Sequence, residues 1–453
     1  MTLKISISGV RGFVPESLTP EVCLNFAKAF GTYLSQNHLK GLHPKVVIGT
    51  DSRASSEFIK GIIFQGLLST GCEAIDLGIC PTPTVGIMTR ELHADGGIVI
   101  TASHNPLPWN GLKFMRGDGI FLNESQATKL IDIFTEKSFK VHPPRKVSFF
   151  GSANLVHVKK IINKINPSLV QRKKFKVGVD SCNGAGSIIS SMLLGKLGCK
   201  RIEAINCNTA MPFPRPPEPT PENLVQLCEL VKAKKLDIGF AFDSDADRLA
   251  VVSDEGKPIG EELTLALAVK YMLLKNKQLP KKKKIIVINL STTKAIEDIA
   301  NQFGATVLRT KIGEVHVAEE LKELKALIGG EGNGGIIYPP IGFNRDAMAG
   351  MAMLLDLMAM TGKKISELVA EIPAYYMLKK KIDCHSQDEA FDYIEKTKER
   401  FRKNDLILTE GVKIILPEGW AHVRASNTEP IIRIIAEGLN KETVINLIDK
   451  IMA

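Results

Sequence analysis

The 453-residue chain has few of the features that define zinc-binding, membrane or secreted proteins. None of its eight cysteines belongs to a C-x-x-C pair, so a thiolate zinc site is not expected. No run reaches about 18 apolar residues, and the first residues contain no apolar segment typical of a signal peptide. We therefore expect a cytoplasmic protein with reduced thiols and no membrane partner.

Aromatic residues are also scarce, at 6% of the chain. The formal net charge is +10, which suits either a nucleic-acid-binding protein or an enzyme that acts on anionic sugar phosphates. The densest basic run, KKKK at 281–284, has no aromatic residue interleaved with it. Because base stacking needs such aromatic side chains, the run is typical of a solvated loop, and we expect no nucleic-acid partner.

A polar loop, TASHNP at 101–106, follows the strand-like run GGIVI at 96–100. Its Asn-Pro pair forces a turn, so Ser103 is predicted to lie on a tight loop at a strand end, where α/β proteins display reactive groups. A serine hydroxyl needs activation before it acts as a nucleophile or phosphate carrier, and His104 and Lys113 are the nearest candidates to handle its proton. An ordinary turn with solvated side chains is the alternative for this stretch alone.

A second loop carries aspartates at alternate positions, with Asp243, Asp245 and Asp247 followed by Arg248. Three like charges this close together cost free energy unless a cation neutralises them, and oxygen ligands favour a hard ion such as Mg²⁺ or Ca²⁺. The pattern argues against an EF-hand, because Arg248 stands where a calcium loop needs glycine and a strand-like run, LAVV, follows it. A solvated acidic turn is the remaining alternative.

Two further polar loops follow in the last third of the chain. The first, GGEGNGGI at 329–336, sets Glu331 and Asn333 among glycines that allow close approach of the backbone to a ligand. A carboxylate and an amide suit sugar hydroxyls, whereas a flexible hairpin is the alternative. The second, RASNTEP at 424–430, offers a cluster of donors suited to a phosphate that does not react, with a polar hairpin as its alternative. Those donors are Arg424, Ser426, Asn427 and Thr428, with Arg433 as a weaker addition.

In order and approximate spacing, the four loops resemble those of the α-D-phosphohexomutase superfamily, and the resemblance covers nearly the whole chain. It implies a mutase that carries a phosphoryl group on Ser103 and passes through a bisphosphorylated hexose, which serves as intermediate and activator. It also implies one Mg²⁺ per chain, held by the phosphoserine and the three aspartates, with hexose phosphates as partners. The catalytic residues implied are Ser103, His104, Lys113, Arg11 and Arg248. On spacing alone, an exposed strand lysine is the alternative for Lys113.

Two segments indicate the sugar: RTKIGE at 309–314, which contains the candidate substrate ligand Lys311, and GEGNGG at 330–335. Both resemble the phosphoglucosamine mutase branch, which implies conversion of glucosamine 6-phosphate to glucosamine 1-phosphate. Phosphomannomutase or phosphoglucomutase activity is the first alternative, and a metal-dependent serine phosphatase is the second. Many members of the superfamily carry serine at the Asn333 position and histidine at the Gly335 position. The resemblance therefore leaves open which residue replaces that histidine.

Strand-like and helix-like segments alternate along most of the chain, which predicts parallel or mixed sheets with helical crossovers. We expect an α/β protein with three successive similar domains at 1–151, 152–255 and 256–372 around a central cleft. The order changes in the last segment, 373–453, which predicts a small α+β domain. A monomer or a homodimer is expected.

Overall fold

The computed structural model describes residues 3–36, 43–426 and 430–452. Its first unit is a mixed sheet in the order β1-β2-β6-β5-β3-β4-β7. The elements are β1 (Lys4–Ser6), β2 (Gly9–Phe13), α1 (Pro20–Gln36), β3 (Lys45–Thr50), α2 (Ser56–Ser69), β4 (Glu73–Ile79), α3 (Thr82–Glu91), β5 (Gly96–Ile100), β6 (Trp109–Arg116), α4 (Glu124–Glu136) and β7 (Val147–Phe149).

Helices cover both faces of this sheet, because its central strands are apolar on both sides. Ile48 and Ile98 pack into the core that contains Phe30 of α1, whereas Val47 and Val99 pack into a separate core on the other face. β3 runs parallel to both β4 and β5, while β6 is antiparallel to β5. Near-continuous apolar strands of this kind are typical of sheets buried on two faces.

The second unit repeats the pattern with the strand order β11-β10-β8-β9. Its elements are α5 (Ala153–Ile162), α6 (Pro167–Lys173), β8 (Lys176–Asp180), α7 (Gly186–Lys196), β9 (Arg201–Ile205), α8 (Val225–Lys234), β10 (Ile238–Phe242) and β11 (Leu249–Val252). β10 is parallel to β8 and antiparallel to β11. The turn between β10 and β11 carries the three aspartates.

The third unit has the order β13-β12-β14-β15. Its elements are α9 (Glu261–Lys275), β12 (Ile285–Asn289), α10 (Ala295–Gln302), β13 (Thr306–Thr310), α11 (Glu314–Glu323), β14 (Ile328–Glu331), β15 (Gly335–Ile337), α12 (Ala347–Thr361) and α13 (Ile365–Ala370). The residues of α12 are buried from Ala347 through Ala359, and this helix belongs to one core shared by the second and third units. A helix that is apolar all round is expected at such a position.

The last unit is an antiparallel sheet in the order β16-β20-β19-β18-β17. Its elements are β16 (Tyr376–Asp383), α14 (Gln387–Arg400), β17 (Asp405–Ile407), β18 (Val412–Leu416), β19 (Gly419–Ala425), β20 (Ile431–Gly438) and α15 (Lys441–Met452). The two helices cover one face. The other face meets the third unit through polar contacts, including Lys413 Nζ, which donates to the Leu290 carbonyl at 2.6 Å.

The fold class predicted from the sequence is therefore confirmed: three α/β units with mixed sheets precede an α+β unit with an antiparallel sheet. Three of the polar loops lie at the carboxyl ends of the strands that lead into them. Ser103 follows β5, Asp243 follows β10, and Glu331 ends β14. All eight cysteines are free thiols. Among the helices described, none is long and apolar enough to cross a bilayer.

Candidate active site

Ser103 lies at the centre of the interface between the first two units. Its side chain is buried, and its hydroxyl donates to Asp243 Oδ2 at 2.8 Å. The backbone at Ser103 is in the left-handed region, with φ of +50°. A serine in this region is uncommon and costs free energy, so the surrounding contacts must hold it there.

Arg53 supplies most of the contacts that hold the serine loop. Its Nη2 donates to the carbonyls of Ser103 at 2.7 Å and Asn105 at 2.6 Å, and its Nη1 donates to Pro106 and Trp109. Its Nε donates to Asp51 Oδ2 at 3.0 Å. Neither Arg53 nor Asp51 was among the site residues predicted from the sequence. Their sequence signal is the DSR segment at 51–53 directly after β3, since β3 and β5 are parallel neighbours whose carboxyl ends meet.

Asp243, Asp245 and Asp247 form a buried cluster in which one oxygen of each carboxylate lies within 4.8 Å of the others. Burial, followed by repulsion from the other two aspartates, raises the pKa of Asp243 well above its usual range. Oδ1 of Asp245 and Oδ1 of Asp247 are buried with no hydrogen-bond partner among the described residues. Buried carboxylate oxygens need partners, and an oxygen-only donor set suits Mg²⁺, so these residues fit that ion.

Lys113 lies beside this cluster on β6. Its Nζ donates to Asp245 Oδ2 at 2.7 Å and approaches Asp247 Oδ2 at 3.4 Å. Burial alone would lower the pKa of Lys113, but the two carboxylates outweigh it and the pKa is raised. The same ammonium contributes to a lowered pKa of Asp245, against the opposing effect of burial. Lys113 is therefore a buried cation, and the alternative of an exposed strand lysine is wrong.

Arginines surround His104. Arg248 Nη2 donates to His104 Nδ1 at 3.0 Å, and Arg248 Nη1 donates to Glu218 at 2.9 Å. Burial, together with the charges of Arg248 and Arg11, lowers the pKa of His104 to about 2. The imidazole is thus neutral at physiological pH, with its proton on Nε2. Arg11 donates to Asn105 Oδ1 at 3.0 Å, which ties it to the same loop.

A cavity of about 260 Å³ opens next to these groups and is lined by side chains from the first three units. Its charged and polar lining consists of Ser8, Arg11, Lys113, Arg248, Glu314, Glu331, Asn333 and Arg345. A volume of this size suits a small polar ligand. The structure therefore brings Arg11, Lys113 and Arg248 to the same cavity as Glu331 and Asn333.

Glu331 is held from both sides of its carboxylate. Its Oε1 accepts from Asn289 Nδ2 at 3.0 Å and from the Gly313 backbone at 3.1 Å, and its Oε2 accepts from Arg345 at 2.7 Å. Asn333 Oδ1 accepts from the Gly335 backbone at 3.1 Å. The orientation of both side chains is therefore fixed before any ligand binds.

Glu314 and Arg345 line the cavity but were not predicted as site residues. The Arg345 backbone donates to Glu314 Oε1 at 2.9 Å, and its guanidinium contacts Glu314, Glu331 and Asp247. Burial raises the pKa of Glu314 to about 7, even though Arg345 opposes this effect. Glu314 could have been recognised from the glycine that precedes it at the start of α11, whereas no local sequence pattern marks Arg345.

The fourth loop is described only in part. Arg424 Nη1 lies 3.5 Å from Glu410 Oε1, and Arg424 pairs in register with Arg433, which is exposed. Ser426 is buried and its carbonyl accepts from Gln387. Asn427 and Thr428 lie outside the described residues. None of the described residues of this loop lines the 260 Å³ cavity, and neither does Lys311, which is exposed.

Comparison with known proteins assigns the chain to a family. Four sequence profiles of phosphoglucomutase/phosphomannomutase domains match this chain. The profile of alpha/beta/alpha domain I matches residues 3–141, that of domain II residues 156–256, that of domain III residues 261–376, and that of the C-terminal domain residues 377–453. The Thermococcus kodakarensis phosphoglucomutase/phosphomannomutase is 38% identical over 439 residues, which are 96% of this chain and 94% of that protein.

A second relative is the phosphoglucosamine/phosphogalactosamine mutase of Sulfurisphaera tokodaii, which is 34% identical over 98% of this chain and 97% of its own. A crystal structure of a phosphoglucomutase/phosphomannomutase family protein from Burkholderia thailandensis shares the fold. It has a TM-score of 0.85 and 24% identity, covering 98% of this chain and 96% of that one. The chain therefore belongs to the phosphoglucomutase/phosphomannomutase family of phosphohexomutases.

Proposed function

We propose that the protein interconverts glucosamine 6-phosphate and glucosamine 1-phosphate, with Ser103 as the phosphoryl carrier. The observation that carries the phosphoryl-transfer part of this proposal is the contact between the Ser103 hydroxyl and Asp243, at 2.8 Å, beside two buried carboxylate oxygens that have no partner among the described residues. The choice of glucosamine is supported by the resemblance of segments 309–314 and 330–335 to the phosphoglucosamine mutase branch. A serine on a strained loop, next to a cation-binding cluster and a sugar-sized cavity, suits phosphoryl transfer.

The reaction consists of two transfers that mirror each other. In the first, the bond between phosphorus and Ser103 Oγ breaks, and a bond forms between phosphorus and a hydroxyl oxygen of the hexose phosphate, which loses its proton. The bisphosphorylated hexose then turns over in the cavity. In the second transfer its other phosphoryl group returns to Ser103 Oγ, and the sugar oxygen left behind regains a proton.

Positive groups converge on the position of the transferred phosphate. Arg11 and Arg248 line the cavity beside the serine loop and would stabilise the charge on the phosphoryl oxygens. Lys113, held as an ammonium by its aspartates, adds a third cation. Asp243, Asp245, Asp247 and the phosphoserine would hold Mg²⁺, which offsets negative charge during transfer when it is bound.

Protons must move at the sugar oxygen, and the geometry limits which groups can take them. Lys113 is already protonated, and His104 Nδ1 is occupied by Arg248. Glu314 lines the cavity, and its pKa of about 7 lets it accept and return a proton near neutral pH. We assign it the role of accepting the proton. Lys113, as an ammonium, is the candidate acid that returns one, and His104 positions the serine loop.

Recognition of the sugar and of the phosphate that does not react is divided between two units. Glu331 and Asn333 present oxygens to the cavity that suit hydroxyl and amine groups. The distal phosphate would be held by Arg424, Ser426, Asn427 and Thr428 on the last unit, with Arg433 and Lys311 at the edge. Placing this site on a separate unit lets it receive either end of the bisphosphorylated sugar.

The sugar can be assigned by direct assay. Relatives at similar identity carry both names, since the S. tokodaii protein is a phosphoglucosamine/phosphogalactosamine mutase and the T. kodakarensis protein a phosphoglucomutase/phosphomannomutase. Phosphoglucomutase or phosphomannomutase activity is therefore the second candidate. The purified protein should be assayed with the 6-phosphates of glucosamine, glucose and mannose. The proposal expects the highest kcat/KM with glucosamine 6-phosphate, and a higher value with either neutral sugar would contradict it.

A further inference from the structure

We propose that Arg345 is a positioning residue that ties the aspartate loop to the sugar loop, and that residue 335 must be glycine because the Arg345 side chain fills the space of its Cβ. The expected effect on kinetics rests on the proposed function. The positioning role itself rests only on the contacts of the Arg345 side chain in the structure.

The guanidinium of Arg345 spans carboxylates from three segments. Its Nη2 donates to Asp247 Oδ2 at 2.7 Å, and its Nη1 donates to Glu331 Oε2 at 2.7 Å. Its Nε lies 3.1 Å from Glu314 Oε2, close enough for an ion pair although not aligned for a hydrogen bond. One planar group therefore contacts a cation-site aspartate and a sugar-loop carboxylate at the same time, a geometry that a lysine ammonium does not reproduce.

Gly335 makes this arrangement possible. In the β14–β15 pair it lies opposite Glu331. A Cβ at residue 335 would lie 2.2 Å from Cδ and 2.8 Å from Cγ of Arg345, so any side chain there must displace the arginine. The same Cβ would lie 2.9 Å from Asn333 Oδ1, a smaller overlap at the end of a side chain. The glycine and the arginine therefore form a matched pair, although they are ten positions apart in the sequence.

Two consequences with opposite signs follow for ligand binding. Arg345 holds Glu331 Oε2, so its loss leaves that oxygen with only the 3.5 Å contact to Asn333 while Oε1 stays bound to Asn289 and Gly313. The carboxylate is then positioned less firmly, which weakens its contact with the sugar. Arg345 also competes with a metal cation for the negative charge of Asp247, so its loss should strengthen the attraction for Mg²⁺. A variant that merely damaged the fold would weaken both kinds of binding.

The test uses the 453-residue protein and compares Arg345→Ala, Arg345→Lys and Gly335→Ala with the wild type. Arg116→Lys is a matched control, because Arg116 also pairs with two carboxylates, those of Asp118 and Glu319, outside the cavity. KM and kcat are measured with the best hexose 6-phosphate. Mg²⁺ binding to the dephosphorylated protein is measured separately by calorimetry.

For Arg345→Ala we expect KM for the hexose phosphate to rise about ten- to one hundredfold, as for loss of a charge-assisted hydrogen bond, while the Kd for Mg²⁺ falls. Arg345→Lys should raise KM almost as much. Gly335→Ala should raise KM in the wild-type background and raise it by a smaller factor in the Arg345→Ala background, where only the 2.9 Å approach to Asn333 Oδ1 remains.

An unchanged KM in Arg345→Ala, or a parallel rise of KM and of the Kd for Mg²⁺, would overturn the proposal. If Arg345→Ala does not fold, Gly335→Ala alone decides, and unchanged kinetics in that variant would overturn it. A wild-type protein without mutase activity would refute the proposed function. The calorimetric comparison would still test Arg345, because it needs no sugar turnover.

Discussion

Replacement of Arg53 tests whether the serine loop is held in place by one side chain. In Arg53→Lys the charge remains, but a single ammonium cannot reach the carbonyls of Ser103, Asn105, Pro106 and Trp109 together with Asp51. At least two hydrogen bonds from a charged donor are lost, and each is worth about 1.5 kcal/mol at the lower end. If the transition state needs the ordered loop, about 3 kcal/mol corresponds to roughly a hundredfold in rate.

The assay is single-turnover phosphorylation of the protein by a hexose 1,6-bisphosphate, followed by intact-mass measurement. We expect phosphoserine formation to slow about a hundredfold in Arg53→Lys, whereas KM for the hexose phosphate changes little because Arg53 does not line the cavity. Arg116→Lys again serves as the control. A phosphorylation rate within about twofold of the wild type would show that Arg53 does not position the loop.

Three other predictions follow from the same structure. Asp245→Asn should raise the Kd for Mg²⁺ and lower turnover sharply, because it removes a charged oxygen from the cluster. If the wild-type protein is equally active in EDTA and in Mg²⁺, a catalytic metal is refuted. Arg424→Ala should lower kcat/KM by about one to two decades in both reaction directions, as for loss of about 1.5–3 kcal/mol, and unchanged steady-state kinetics would place the loop outside the site. Burial lowers the pKa of Lys413 to about 6. Between pH 6 and about 10 the lysine is therefore protonated in the unfolded chain but mostly neutral in the folded protein. Because the unfolded state binds the extra proton, the free energy of unfolding rises with pH over that range. The urea midpoint of the wild type should therefore rise from pH 7 to pH 9 relative to that of Lys413→Met, and a constant difference between the two would contradict this.

Residues whose role depends on a local pattern could be predicted from the sequence. Ser103 follows an apolar strand and precedes Asn-Pro, and the aspartates alternate between two strands, so both loops are recognisable without any tertiary contact. Helix α1 likewise starts at Pro20 as its Thr-Pro pair predicts, and Thr19 Oγ1 accepts from the Val22 backbone at 3.2 Å.

Residues whose role depends on packing could not be predicted. Arg53 reaches a loop 50 positions away, and Arg345 reaches Asp247 across 98 positions. Neither contact can be recognised from residue spacing or from composition. Helix α12 could not be predicted from periodicity either, because a helix that is buried on every side shows no helical pattern of apolar and polar residues.

The most direct test of phosphoryl transfer through Ser103 is intact-mass analysis of the protein as isolated, with peptide mapping, for the wild type and Ser103→Ala. The account predicts that a fraction of the wild-type protein is heavier by one phosphate, that this phosphate maps to Ser103, and that Ser103→Ala lacks both the phosphate and mutase turnover. Near-wild-type turnover in Ser103→Ala would contradict the account.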